Sequence, residues 1–103
     1  MEYRIIKSPS QGTVDLLFRR KGSAPSVPLE NYDAVGLVQG RMIDMVVAAD
    51  IAEKAAGVFV EDIKGHCPQN LIMIAIFGDT ASVEAAIKDI QCKMREIKVG
   101  ENP

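Results

Sequence analysis

Apolar and polar positions along this chain fall in blocks whose period switches between two and about 3.6 residues. "YRIIK" (3–7) is short and β-branched, and reads as a strand with Arg4, Ile5 and Ile6 at its centre. "SPSQG" interrupts it, because Pro9 and Gly12 are turn residues with fixed backbone demands. In "TVDLLFRR" (13–20), Val14, Leu17 and Phe18 fall at i, i+3 and i+4, which predicts a two-turn helix. "KGSAPSVPLEN" (21–31) carries two prolines, a glycine and two serines, and reads as a linker between a small N-terminal unit and the rest.

"DAVGLVQG" (33–40) predicts a strand, and "RMIDMVVAADIAEKAA" (41–56) a helix closed by Gly57 as its C-terminal cap. The polar residues Asp50, Glu53 and Lys54 occupy one narrow strip of that helix. The rest of its circumference is largely apolar, more than one sheet face could cover, so a second partner is expected. "VFVEDIK" (58–64) and "LIMIAIF" (71–77) read as strands, the second apolar on both faces and therefore central. In "GDTASVEAAIKDIQCKMREI" (78–97), Asp79 or Thr80 caps a helix whose stripe is Val83, Ala86, Ile87, Ile90, Met94 and Ile97. "KVGENP" reads as a frayed tail. The predicted order is β-α-linker-β-α-β-β-α, an α+β sheet with helices packed on it.

At 103 residues the chain bounds one domain with a modest core. Its hydrophobic share is 48% with 5% aromatics and no Trp, so Ala, Val, Ile and Met carry the burial and suit close helix or subunit packing. Twelve basic against fourteen acidic side chains leave no strong field for nucleic acid or an anionic membrane. No apolar run reaches the roughly 18 residues of a membrane span, and "MEYRIIKSPS" lacks the apolar core of a secretory signal. Cys67 and Cys92 make no disulfide framework, and a cytosolic chain keeps them reduced.

Two stretches, "AVGLVQGRMIDMVVAADIAEKAAGV" and "LIMIAIFGDTASVEAAI", resemble a bacterial microcompartment shell domain. That family runs strand, Ala-Ala-Asp-rich helix ending in Lys-Ala-Ala, two strands around a pore loop, then Gly-Asp before a helix. Its commonest members add a C-terminal strand and short helix. Here "YRIIKSPSQGTVDLL" stands at the front instead and is similar to that piece, so the resemblance implies a circularly permuted member. The implied organisation is one ferredoxin-like domain over 1–103: a transposed strand–helix piece (1–20), a linker (21–32), a core (33–97) and a tail (98–103). Some permuted members carry an extra N-terminal strand that builds a barrel over the pore. Only Met1 and Glu2 precede the first strand here, which argues against that barrel.

The resemblance further implies a flat cyclic homo-hexamer in the shell of a cytoplasmic microcompartment, tiling with other shell proteins. The pore loop is then Gly65, His66, Cys67, Pro68 and Gln69, and Lys54 in "AEKAAG" matches a lysine at the tile edge. The family's edge arginine is not matched; Lys7 and Ser8 stand in that neighbourhood. A Gly-x-Cys-Pro-Gln loop resembles shell proteins of glycyl-radical, propanediol-type microcompartments, which bind an iron–sulfur cluster at the pore. The implied function is a shell subunit that transfers electrons across the shell, or supplies a cluster to interior redox enzymes, without turnover of its own.

Cluster iron is usually held by four cysteine thiolates, and one loop supplies one. A six-fold axis would bring six copies of Cys67 together. A cubane of four irons cannot use six thiolates equally, so an asymmetric or averaged cluster is expected, with some copies unligated. Pro68 removes a backbone donor and Gly65 permits a turn that side chains resist, and together they can aim the sulfur. Cys67 could instead be a pore-lining thiol without metal, in a tile passing small metabolites, or an inert buried cysteine. His66 is a ligand, a donor to cluster sulfur or a solvated pore residue; as Cys67's neighbour in extended backbone it points the other way. Gln69 and Asn70 line or brace the loop through amide hydrogen bonds. Cys92 lies off its helix's apolar stripe and reads as packing or surface. Lys54 taken alone is a solvated helix charge. A small thiol-dependent enzyme or regulatory domain is the competing class, and a stable monomer or dimer would mark it.

Overall fold

A computed structural model describes residues 1–20, 32–55, 57–64 and 71–96. The elements are β1 (Glu2–Lys7), α1 (Gln11–Arg19), β2 (Ala34–Arg41), α2 (Met42–Glu53), β3 (Val58–Ile63), β4 (Leu71–Gly78) and α3 (Thr80–Glu96). All seven elements expected from the sequence form, in the expected order. The linker residues 21–31, the loop 65–70 and the tail from 97 onward lie outside the described residues.

The strands make one antiparallel sheet in the order β1-β2-β4-β3. The strand read as central, β4, does lie between two neighbours, and its successive side chains enter two different cores. Ile74 and Ile76 join Ala34 and Val38 under Met45, Ala48 and Ile51 of α2 and Val83, Ala86 and Ile90 of α3. Ala75 and Phe77 join Val35 and Ile63 on the opposite face, beneath Leu17 of α1. An apolar residue at every position of this strand is what two covered faces require.

The N-terminal unit is not separate from the rest. Its strand extends the sheet, from Glu2 opposite Gln39 to Lys7 opposite Ala34. Helix α1 starts two residues earlier than the apolar spacing suggests, because Ser10 caps it and accepts from the Thr13 backbone N–H at 3.2 Å. Tyr32, given to the linker (21–32) in the implied organisation, packs at a tilt against Phe77 with ring centroids 5.1 Å apart, and Phe18 packs on the same ring at 5.2 Å.

Helix α2 ends at Glu53, sooner than expected, with Lys54 as its C-cap. Gly57 follows at φ 81°, a conformation that side chains resist. Gly36 serves a different need. A Cβ there would lie 3.0 Å from Ile87 Cδ1, so its bareness lets α3 settle onto β2.

The register defines two ends of the sheet. At one, Arg41 stands opposite Leu71 and Ile63 opposite Met73, so the connection from β3 to β4 leaves there. At the other, Lys7 opposes Ala34, which opposes Gly78, which opposes Val58. An eight-residue strand separates these ends by about 25 Å. Helix α2 runs from the loop end to the far end, and α3 runs back.

Candidate functional site

Gly65, His66, Cys67, Pro68 and Gln69 lie outside the described residues. Their frame is described. Strands β3 and β4 hold the loop's two stems in antiparallel register, and the Lys64 backbone N–H donates to the Arg20 carbonyl. The first turn of α2 sits at the same end. It starts on Arg41, which makes no side-chain cap, and Met42, Ile43 and Val46 follow with 57%, 74% and 65% of their surface exposed. Three apolar side chains at i, i+1 and i+4 share one side of the helix. Met1 is also exposed there; a Cβ on Gly40, in the same strand end, would touch its side chain. The Tyr3 hydroxyl donates to Met1 Sδ at 3.6 Å, and burial, then the Asp44 carboxylate, raises its pKa above the ordinary phenol value.

Lys54 stands at the far end, as do Lys7 and Ser8. Lys54 Nζ lies 2.7 Å from Asp50 Oδ2, one helical turn back, and both side chains are exposed. Lys7 Nζ meets Glu84 Oε2 at 3.5 Å, and Ser8, at φ 49°, donates its backbone N–H to the Asp33 carbonyl at 2.7 Å. The cap of α3 is Asp79 rather than Thr80. The Ser82 backbone N–H donates to Asp79 Oδ1 at 2.8 Å and the Ser82 hydroxyl to Oδ2 at 3.0 Å. Those two bonds, the backbone one foremost, hold the Asp79 carboxyl below its ordinary pKa.

The outer strip of α2 thus changes character along its length, from Met42, Ile43 and Val46 at the loop end to Asp50, Glu53 and Lys54 at the far end. Cys92 is exposed on α3, where it lines an open groove of about 660 Å³ with Ala55, Ala81, Ala85, Lys88 and Asp89. Among the described residues no group of three or more His, Cys, Asp or Glu is placed to hold a metal ion. Nor is any helix among them long and apolar enough to cross a membrane.

Residues 34–101 match the BMC domain family. The chain belongs to that family. It is a structural shell protein of a bacterial microcompartment, and the matched stretch begins at the first residue of β2. A GrpU microcompartment shell protein from Clostridiales bacterium 1_7_47FAA, solved ligand-free, is 58% identical over 92% of this chain and 93% of its own, with a TM-score of 0.73. A GrpU shell protein from Pectobacterium wasabiae, also solved ligand-free, is 36% identical over 87% of this chain and 99% of its own, with a TM-score of 0.67. A fused permuted hexameric shell protein from the RMM microcompartment shares the fold: 17% identity, 91% of this chain, 45% of that chain, TM-score 0.68. No curated protein matches the chain.

Sequence reasoning predicted that α2 needs a second partner but did not locate the face. Period alone could not, because almost every position of the helix is apolar; the packing of Met45, Ala48, Ile51 and Ala52 decides which side is left. It placed Asp50 and Lys54 in one strip without pairing them, although their i, i+4 spacing carries that signal.

Proposed function

We propose that this shell protein is a circularly permuted BMC subunit that closes as a cyclic homo-hexamer, with one Cys67 per copy at the pore holding an iron–sulfur cluster. The observation that carries the reading is that the strand ends bearing the loop, at Ile63 and Leu71, lie at one end of the sheet and Lys54 at the other. A flat ring with the loop on its axis then has Lys54 on its perimeter, ready to meet other tiles. The exposed apolar start of α2 flanks the loop, at the radius where neighbouring copies press together.

The sheet order supports the permutation. Read from β2 with β1 moved to the end, the elements run β-α-β-β-α-β in the order 4-1-3-2, the split βαβ arrangement of ferredoxin-like domains. The end of α3 lies near the start of β1, with Tyr3, Gln91, Met94 and Arg95 around one notch, so the unpermuted connection would be short. The family match also leaves residues 1–33 outside it.

The donor set fits a cluster only in an assembly. Each chain brings one thiol on the loop, and Cys92 is on the exposed side of α3. Cys67 would hold the group, and when bound an iron–sulfur cluster supplies one-electron transfer. Strands β3 and β4 fix the loop stems, Gly65 allows the turn, and Pro68 withholds a backbone donor that would extend the ladder. The role that follows is electron transfer across the shell, or supply of a cluster to interior redox enzymes, in a cytoplasmic glycyl-radical microcompartment. No catalytic turnover is expected of the subunit itself.

The test is anaerobic purification with iron and acid-labile sulfide measured per hexamer. The wild type should carry both, and Cys67→Ser should lose nearly all of each while keeping hexameric mass. Equal iron in the two proteins overturns the cluster. Hexamers lacking iron under cluster-assembling conditions point to a metal-free thiol-lined pore for small metabolites, and a chain that stays monomeric or dimeric overturns the ring.

A further inference from the structure

Where the end of α3 meets the edge strand β1, Tyr3, Gln91, Met94 and Arg95 line an open notch of about 420 Å³. That volume is within the range of small-molecule sites. The ion pairs among the described residues engage Arg4, Lys7, Lys54 and Lys93, each with a carboxylate, and none engages Arg95. One turn back along α3, where Lys93 has Asp89, Arg95 has Gln91. A neutral amide leaves the guanidinium charge uncompensated and adds a donor beside it. The Tyr3 hydroxyl donates to Met1 Sδ at 3.6 Å, and a thioether is a weak acceptor. Burial, then the Asp44 carboxylate, holds that hydroxyl's pKa above the ordinary phenol value, so it stays a donor at neutral pH. The notch thus gathers three donor groups, one of them charged, against the apolar surface of Met94 and the Tyr3 ring. Asp44 sets the opposite limit, because a second negative charge on a ligand would be repelled there.

We infer that this notch binds a single carboxylate attached to a short apolar body. Arg95 takes the carboxylate in a bidentate pair, Gln91 and Tyr3 donate to its oxygens, and Met94 contacts the apolar part. The site lies within one chain and depends on neither the ring nor the cluster proposed above. A free carboxylic acid and a glutamate side chain of a partner polypeptide share this chemistry, and the experiment separates the two.

The full chain, labelled at its methionine methyl groups, is titrated with butyrate, with butyramide as the neutral isostere, and with a blocked tripeptide carrying one glutamate. The methyl resonances are followed by NMR, and Met94→Leu assigns the one that matters. Butyrate should shift the Met94 methyl saturably and leave that of the exposed Met42 in place, whereas butyramide should shift neither. Arg95→Gln should weaken butyrate by about tenfold or more with helix content unchanged, since a charge-assisted pair is lost. Arg95→Lys should recover part of that loss, and Gln91→Ala, which keeps the guanidinium, should weaken binding less. Tighter binding of the tripeptide than of butyrate assigns the carboxylate to a partner polypeptide, and the reverse order assigns it to a free acid. Equal shifts from butyrate and butyramide, an unchanged affinity in Arg95→Gln, or no saturable shift from either carboxylate overturns the site.

Discussion

At the far end of the sheet the chain supplies its own partners. Asp79 caps α3 through Ser82, Gly57 turns the backbone into β3, Lys54 meets Asp50 and Lys7 meets Glu84. At the loop end α2 begins on Arg41 without a side-chain cap, and Met42, Ile43 and Val46 follow with most of their surface in water. A polar, internally paired end can face solvent or a weak lateral contact at little cost. A contiguous apolar end gains by being covered, because each side chain removed from water contributes about 25 cal/mol per Å². One helix therefore carries two kinds of surface, an apolar one beside the loop stems and a charged, internally paired one at the opposite end.

Placing a charge at the loop end has the largest expected effect. Ile43→Glu should reduce the proposed hexamer to monomers or small oligomers, weakening association by about a thousandfold or more, since a buried unpaired carboxylate costs several kcal/mol at each contact. Sedimentation at fixed concentration reads it, and an unchanged ring would place the subunit interface elsewhere. Ile51 sharpens the same point from inside the helix. It is 2% exposed in the core between α2 and the sheet, so Ile51→Ala should lower the unfolding free energy by about 2–5 kcal/mol. Ile43→Ala should leave the fold of the single chain nearly unchanged. If the two alanine variants destabilise alike, the inner and outer faces are not as different as their exposure says.

Much of this could be read from the residues, and the reasons for the rest are physical. Periods of two and 3.6 were enough for the order of elements, and Asp79 marked a helix start because few residue types satisfy that position. Gly57 did not mark the end of α2, which Lys54 caps three residues earlier; its left-handed backbone serves the turn into β3 instead. Helix α1 was placed late, since apolar spacing starts at Val14 whereas the Ser10 cap acts on backbone donors before it. Tyr32 was given to the linker that follows the Pro-rich stretch, because neither composition nor spacing tells that its ring folds back onto Phe77. The site divides in the same way. Lys54 was singled out by family likeness, and the structure shows its pairing with Asp50. Cys67 stands on likeness and donor chemistry, with only the strands that carry its loop described.

The far end can be probed through its turn. Gly57 has φ 81°, and a Cβ there would lie 2.8 Å from Ser82 Oγ, the side chain that also bonds Asp79. Gly57→Ala should lower stability by about 1–2 kcal/mol, chiefly from the left-handed backbone, with Asn losing less. Because any self-association links stability to concentration, both proteins must be unfolded at the same concentration. No loss would mean that this end does not depend on its own local closure.

The smallest effect expected is also the most selective test of how the far end is held. Asp79 has a folded pKa below its unfolded value of about 3.9, because the Ser82 N–H and hydroxyl bond its carboxylate. A depressed carboxyl contributes stability that is fully present above the unfolded pKa and is lost as pH falls through the folded one. The wild type should therefore exceed Asp79→Ala in thermal stability by a constant margin from neutrality down to about pH 5, and the margin should shrink below about pH 4. Asp79→Asn keeps an oxygen for the Ser82 N–H but cannot titrate, so its stability relative to Asp79→Ala should hold at acid pH where the wild type's advantage falls away. A margin that stays flat from neutral to acid pH would show that Asp79 acts through its shape alone. The self-sufficiency of the far end would then rest on backbone geometry rather than on charge.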